Sequence, residues 1–318
     1  MRVAVCGFGS AGRRHVEDLR ALGHVVLVVD PARQVLPESL CCAATLEEII
    51  DDVEAVVVAS PNRFHAEQSL LALERGRHVL VEKPLADDLD DAGRLVTAAA
   101  SAGVTAGVAM NLRFHPGPAT LKLLLDGGEL GRPLHAAGWF GYDLRRWRPQ
   151  LDYRQTYSAH AEQGGGIVLD AIHELDILQW LLGPARSVTG ELGHVSALEI
   201  DVEDVALGVA RFGGGVLASI SLNYVDMAYR RGCLIAGTRA TARWDWARGT
   251  VEVCGFAGER VLDAACDVRE TYRLEVADFV RAVESGGQPR TSFSEGRAAV
   301  ALAEALKASA ASGRRVEL

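Results

Sequence analysis

A chain of 318 residues, 49% hydrophobic and 24% charged, has room for two cores and the make-up of an ordinary globular protein. Its net charge of −9 argues against nucleic acid or an anionic membrane surface as the main partner, and no apolar run reaches the length of a bilayer span. The six cysteines lack CxxC spacing and the N-terminus lacks a signal-peptide pattern, so the expectation is a cytoplasmic protein with reduced thiols and no metal site.

The first element is a short apolar strand at 3–6, followed by Gly7-Phe8-Gly9-Ser10-Ala11-Gly12. This complete G-x-G-x-x-G leaves a strand and opens a helix over 11–22, in which Val16, Leu19 and Leu22 share a face. Glycines there let a backbone approach a pyrophosphate, and the helix N-terminus offers unpaired N–H groups and a favourable dipole. A second apolar strand at 25–29 ends in Asp30, positioned to accept from ribose hydroxyls and to repel a 2′-phosphate. Arg33, three residues on, is the group that would accommodate such a phosphate, so NAD is expected and NADP is possible.

The alternation continues. A capping box at Thr45-Leu46-Glu47-Glu48 predicts a short helix, and 55–59 a strand leading into Ser60, Asn62 and His65. His65 has two readings, a groove-lining residue or a helix N-terminal residue with no further role. After a helix at 66–75 comes a strand that ends in Glu82-Lys83-Pro84, which puts a carboxylate and an amine at a carboxyl strand end, where open parallel sheets bind ligands. A helix at 87–102 and a strand at 104–110 complete a doubly wound α/β half.

Beyond it the pattern changes. A helix at 119–125 and a strand at 134–140 precede a stretch rich in arginine and aromatics: Arg145, Arg146, Trp147, Arg148, Tyr153, Arg154 and Tyr157. Gly164-Gly165-Gly166 then opens a helix expected over 167–182, on which Asp170, His173 and Asp176 are spaced by three and so share one face. Six apolar runs between 187 and 254, separated by glycine turns, predict a largely antiparallel sheet, and two helices close the chain. The expected organisation is a Rossmann-type domain at 1–117 and an α+β domain with an open sheet at 118–318.

Together the glycine fingerprint, Ser60-Pro61-Asn62 with His65, Glu82-Lys83-Pro84, and Gly164-Gly165-Gly166 with Asp170 and His173 resemble the Gfo/Idh/MocA oxidoreductase family. The resemblance implies an NAD(P)-dependent enzyme acting on a hydroxyl or ketone of a sugar, cyclitol or nucleotide sugar. It implies that Lys83 and His173 act at the reacting oxygen with Asp170 beside them, although many inositol-type members separate the Asp and His by four residues rather than three. It further implies cofactor contacts from residues 7–12, Asp30, Arg33, Ser60, Asn62, His65, Glu82 and Lys83. Expected substrate contacts are Arg113, Trp147, Arg148, Tyr153, Arg154, Asp170 and His173, and dimers or tetramers are expected through the second-domain sheet. Two other activities fit the scaffold: a glycosidase that keeps NAD bound, and a nucleotide-sensing regulator. The local excess of arginine between 142 and 154 has two readings, an anionic substrate or arginines that are solvated or bridge to an acidic neighbouring subunit.

Overall fold

The computed structural model describes residues 1–31, 40–256 and 258–318. Its chain divides into two compact units, Met1–Asn111 with Arg269–Val300, and Leu112–Val268 with Ala301–Leu318. The break at Asn111 falls six residues before the expected boundary at 117. Arg269–Val300, assigned to the second domain by its position in sequence, clusters with the first.

In the first unit the alternating pattern becomes β1 (Arg2–Cys6), α1 (Ser10–Ala21), β2 (Val25–Val29), β3 (Cys41–Ala43), β4 (Ala55–Val58), α2 (His65–Glu74), β5 (His78–Glu82), α3 (Leu89–Ala102) and β6 (Ala106–Ala109). The strands pair in parallel in the order β3-β2-β1-β4-β5-β6, the doubly wound arrangement with its switch point between β1 and β4. Continuous apolar runs are buried on both faces of such a sheet: Val3 to Cys6 and Ala55 to Val58 are all 0% exposed. The helix expected from the Thr45 box does not form. Turns fill that stretch, followed by one 3₁₀ turn at Ile50–Asp52, because Val53 is already extended toward β4.

The second unit runs through α4 (Pro116–Asp126), β7 (Pro133–Gly141), a series of 3₁₀ turns, α5 (Ile167–Asp170), α6 (Ile172–Leu182), β8 (Ala185–Gly193), β9 (Val205–Phe212), β10 (Leu217–Asn223), β11 (Arg230–Gly237), β12 (Ala240–Asp245), β13 (Thr250–Gly255) and β14 (Gly258–Asp263). With β15 (Val316–Glu317) these form a nine-stranded sheet, antiparallel apart from the β7–β10 pair. Alternation gives it one buried face, with Ala206, Ala210, Ala218, Ile220 and Leu222 inward and Leu207, Val209 and Leu217 exposed. The helix expected over 167–182 is two helices, interrupted at Ala171 (φ −97°, ψ 28°).

The closing helices are α7 (Val268–Ser285) and α8 (Phe293–Ser312). In α7, Val276, Phe279 and Val280 join a core with Val3, Val5, Val16, Leu19, Val28, Val57 and Leu80. Arg269 grips Asp18 of α1 through two 2.7 Å bonds, and Val108 N donates to Thr291 O at 3.0 Å. These contacts are why the segment belongs with the first unit.

Candidate active site

The glycine loop separates two kinds of glycine. Gly7 has φ +87°, and a side chain there would collide with the Ala59 carbonyl and Ser60 Cα at the end of β4. A side chain at Gly12 would run into the Gly7 carbonyl. Both are required by the protein's own packing. Gly9 is different: nothing lies within 4 Å of where its Cβ would be, and it is the N-cap of α1 with no side-chain cap. An open, uncapped helix N-terminus beside a bare backbone suits a phosphate group. Asp30, at the end of β2, accepts from Phe8 N through Oδ2 at 2.9 Å, which ties the acidic residue to the loop. Arg13 donates to Phe8 O at 3.2 Å and lies over the Phe8 ring. Ser10 is exposed and Ala11 half-buried. Arg33 lies outside the described residues.

At the neighbouring strand ends, His65 is 0% exposed and its two ring nitrogens meet backbone oxygens, Nδ1 at 2.7 Å from Pro84 O and Nε2 at 3.0 Å from Ser60 O. Burial pushes its pKa down, against the pull of those two carbonyls. His65 therefore does not line a groove; it braces the turn after β4 against the turn after β5. Ser60 donates to Gln68 at 2.8 Å, and Asn62 is buried. Lys83 is half-buried, and the Lys83–Pro84 peptide is cis.

Glu82 meets His15 of α1, Nε2 to Oε1 at 2.9 Å, and accepts from Lys83 N at 3.3 Å. Burial alone would raise its pKa, but the His15 bond and the charges of His15, Arg14 and Lys83 hold it down at about 2. A second carboxyl, Glu275 of α7, is 3% exposed with neither oxygen hydrogen-bonded among the described residues. Burial first, and then the charge of Glu82, push its pKa well above the usual range. Periodicity marked 272–284 as a helix but gave no sign that one of its polar positions would be internal.

In the second unit the triple glycine serves close packing. A side chain at Gly165 would meet the Tyr157 and His160 carbonyls, and one at Gly166 (φ +105°) the Glu203 carboxylate. Glu203 in turn accepts from Val168 N at 3.1 Å, capping α5. At Gly165 and Gly166 protein atoms fill the space a side chain would need. The break at Ala171 then directs the acidic side chains apart. Asp170 accepts from the Tyr224 hydroxyl at 2.6 Å. Asp176 receives both Nε (2.9 Å) and Nη2 (2.7 Å) of Arg113, and Glu174 pairs with Arg231 at 2.7 Å. His173 is 8% exposed.

Arg113, expected at the substrate, is 2% exposed and fully engaged by Asp176, with its guanidinium 5.4 Å from the Trp180 ring centroid. In the arginine-rich segment two of the four arginines meet carboxylates. Arg145 pairs with Asp143, and Arg154 with Asp152 at 2.8 Å and Glu199 at 3.3 Å. Arg146 donates to Met227 O. Trp147 donates to Tyr142 O at 3.0 Å, and Tyr153 accepts from Glu199 N at 3.1 Å. Arg148 is half-buried over the Tyr157 ring, 5.8 Å from its centroid, and lines a small cavity with Trp147, Tyr153, Thr156 and Ser158. Arg145 and Arg154 are thus paired with acids, whereas Arg146 meets a backbone carbonyl and Arg148 an aromatic ring.

Comparison with known proteins decides the family. Residues 1–110 match the model of the oxidoreductase family with an NAD-binding Rossmann fold, and residues 119–243 that of the GFO/IDH/MocA C-terminal domain. The chain belongs to the Gfo/Idh/MocA oxidoreductase family. Similar members include 1,5-anhydro-D-fructose reductase of Ensifer adhaerens, 32% identical over 86% of this chain and 83% of that protein. Another is myo-inositol 2-dehydrogenase of Thermotoga maritima, 29% identical over 100% of this chain and 98% of its own. The fold matches a levoglucosan dehydrogenase solved with NADH at a TM-score of 0.89 and 23% identity, over 100% of this chain and 98% of that one.

As a Gfo/Idh/MocA oxidoreductase the chain has an NAD-binding Rossmann domain. Among the described residues no helix is long and apolar enough to cross a membrane. His15, Tyr224, Glu203 and Glu275 had no signal in the sequence. Each becomes conspicuous only through a partner, or a burial, that lies far away along the chain.

Proposed function

We propose that this protein oxidises a hydroxyl of a sugar or cyclitol with NAD, or reduces the corresponding ketone. The observation that carries the reading is Gly9: an uncapped helix N-terminus with open space at its Cβ position, beside a loop that Asp30 holds by a 2.9 Å bond. The names of its relatives, a reductase of 1,5-anhydro-D-fructose and a dehydrogenase of myo-inositol, support a polyhydroxylated substrate.

In this reading Met1–Asn111 with Arg269–Val300 carries the cofactor, and the second unit carries the substrate. Bound NAD supplies a hydride acceptor. Lys83 donates a hydrogen bond to the substrate oxygen, a role supported by its half-buried position after β5 and by the fixed charge of Glu82 at its backbone. His173 takes the hydroxyl proton in oxidation and returns it in reduction. Arg113 and His65 have structural roles, as the Asp176 pair and the brace between two strand ends. Asp30 favours NAD over NADP because its carboxylate repels a 2′-phosphate. The outward Leu207, Val209 and Leu217 of the nine-stranded sheet support a homo-oligomer built on that face. Six free cysteines support a reducing, cytoplasmic location.

The test is a screen of free sugars, inositols, anhydrosugars, sugar acids and nucleotide sugars with each cofactor, followed at 340 nm. NADH accumulation with at least one of them is expected, with a clear preference for NAD. Release of an aglycone without net NADH would turn the reading to glycoside cleavage, and a preference for NADP would remove the role given to Asp30.

A further inference from the structure

Asp170 is 5% exposed, and its carboxylate accepts from a phenol in another part of the second unit. Tyr224, just after β10 and 0% exposed, donates at 2.6 Å, the short end of charge-assisted O–H···O⁻ bonds. Tyr157, on a 3₁₀ turn before the triple glycine, is a second buried phenol that feels the Asp170 charge. Trp147 lies edge-on to Tyr224, 5.2 Å between ring centroids. Both phenols have pKa values pushed well above the usual range, first by burial and then by the charge of Asp170, so both remain donors at any physiological pH.

The other charged groups around this cluster are few. Arg148 lies over Tyr157, and Glu203, raised by burial, feels both Asp170 and Lys307. On α6, Glu174 and Asp176 are engaged by Arg231 and Arg113. His173 is three residues beyond Asp170, across the Ala171 break.

We propose that Tyr224 is a positioning residue that holds Asp170 as a fixed anion near His173, with Tyr157 beside it, so that His173 alone exchanges a proton with the substrate. The inference rests on the dehydrogenase reading and deepens it by separating the roles of the two residues. A carboxylate anchored by a buried donor is held back from swinging toward a substrate. It stays put and stabilises positive charge on the imidazole as the hydroxyl proton arrives.

Opposite shifts in the pH profile test this. For alcohol oxidation, kcat should rise with pH through a group near neutrality. Asp170→Asn removes the anion, so that limb should move down by about one pH unit and kcat should fall about tenfold or more. Tyr224→Phe removes a donor and leaves the charge less shared, so the limb should move up; kcat should fall about three- to tenfold with KM within about twofold. Tyr157→Phe should repeat the Tyr224→Phe pattern in weaker form and guards against one variant failing to fold. Limbs that move the same way, or a Tyr224→Phe enzyme with wild-type kcat, would overturn the proposal. So would a His173→Ala enzyme that keeps its rate while Asp170→Asn loses it.

A double-mutant cycle of Tyr224→Phe and Asp170→Asn, read by thermal unfolding, needs no substrate. Coupling is expected, and strictly additive effects overturn the proposal even if no sugar is turned over. Failure of the dehydrogenase reading itself would instead show as an inactive wild type with the coupling intact.

Discussion

Glu82 and Glu275 influence each other in the first unit with opposite protonation. Glu82 is held ionised, down at about 2, whereas Glu275 keeps its proton because burial and the Glu82 charge both disfavour a second anion. Taking about 4.5 as the unfolded value of each, the signs differ. The Glu82 contribution is present above about 4.5 and lost as pH falls toward 2; the Glu275 contribution is full below about 4.5 and lost as pH rises. Glu275→Gln should therefore leave the melting temperature unchanged near pH 4. At pH 8 it should raise it by about 2–4 °C, the shift made by about 1 kcal/mol in a unit of this size. Unfolding curves of the two proteins that stay parallel across that range would refute the assignment. Lys83→Met should lower turnover by about 10²–10⁴ while NAD still binds, as expected for loss of a positioned donor. Retention of most of the rate would remove Lys83 from the chemistry. Lys83, Asp30 and His173 stand out in the sequence as candidates because each sits in a local motif. Glu275 does not, since one glutamate in a helix reads the same whether it faces water or a buried carboxylate.

At the scale of elements, the β1–α1 turn shows how one motif mixes two requirements. Gly12→Ala drives a methyl group into the Gly7 carbonyl and should destabilise the first unit by about 1–3 kcal/mol. Gly9→Ala meets nothing, so stability should hold while NAD affinity falls about tenfold, or about 1.4 kcal/mol. Thermal unfolding and cofactor titration of both variants check this; equal loss of stability would mean that Gly9 also serves packing. The Ala171 break is the converse case. The 3.6-residue pattern runs through 167–182 without interruption, yet the segment is anchored to Glu203 at one end and by Arg113 and Arg231 along the other. Those partners, tens of residues away, decide the local backbone. The Thr45 box failed for a similar reason, with the chain committed to β4 only a few residues on.

For the whole molecule, the first unit is discontinuous in sequence. A fragment ending near residue 117 lacks Val276, Phe279 and Val280, whose burial is worth about 1.5–3 kcal/mol each. Their summed loss is about 4.5–9 kcal/mol, a large part of the roughly 5–15 kcal/mol that typically holds a domain together. Such a fragment should be unfolded or aggregated in circular dichroism and gel filtration, whereas one joining 1–111 to 269–300 through a flexible linker should fold and bind NAD. A cooperative, NAD-binding fragment of 1–117 would contradict this account.

What the sequence by itself determined is whatever rests on neighbours along the chain. Strand–helix alternation dictated a parallel sheet, glycines at fixed offsets a phosphate cradle, and Glu82-Lys83-Pro84 a polar strand end. What only the tertiary structure decided rests on contacts across it. Those contacts direct Arg113 to Asp176, leave His65 bracing two turns, and fold Arg269–Val300 back onto the first unit. Burial and charge pairing depend on distances in space, and residue order constrains those only when they are short along the chain.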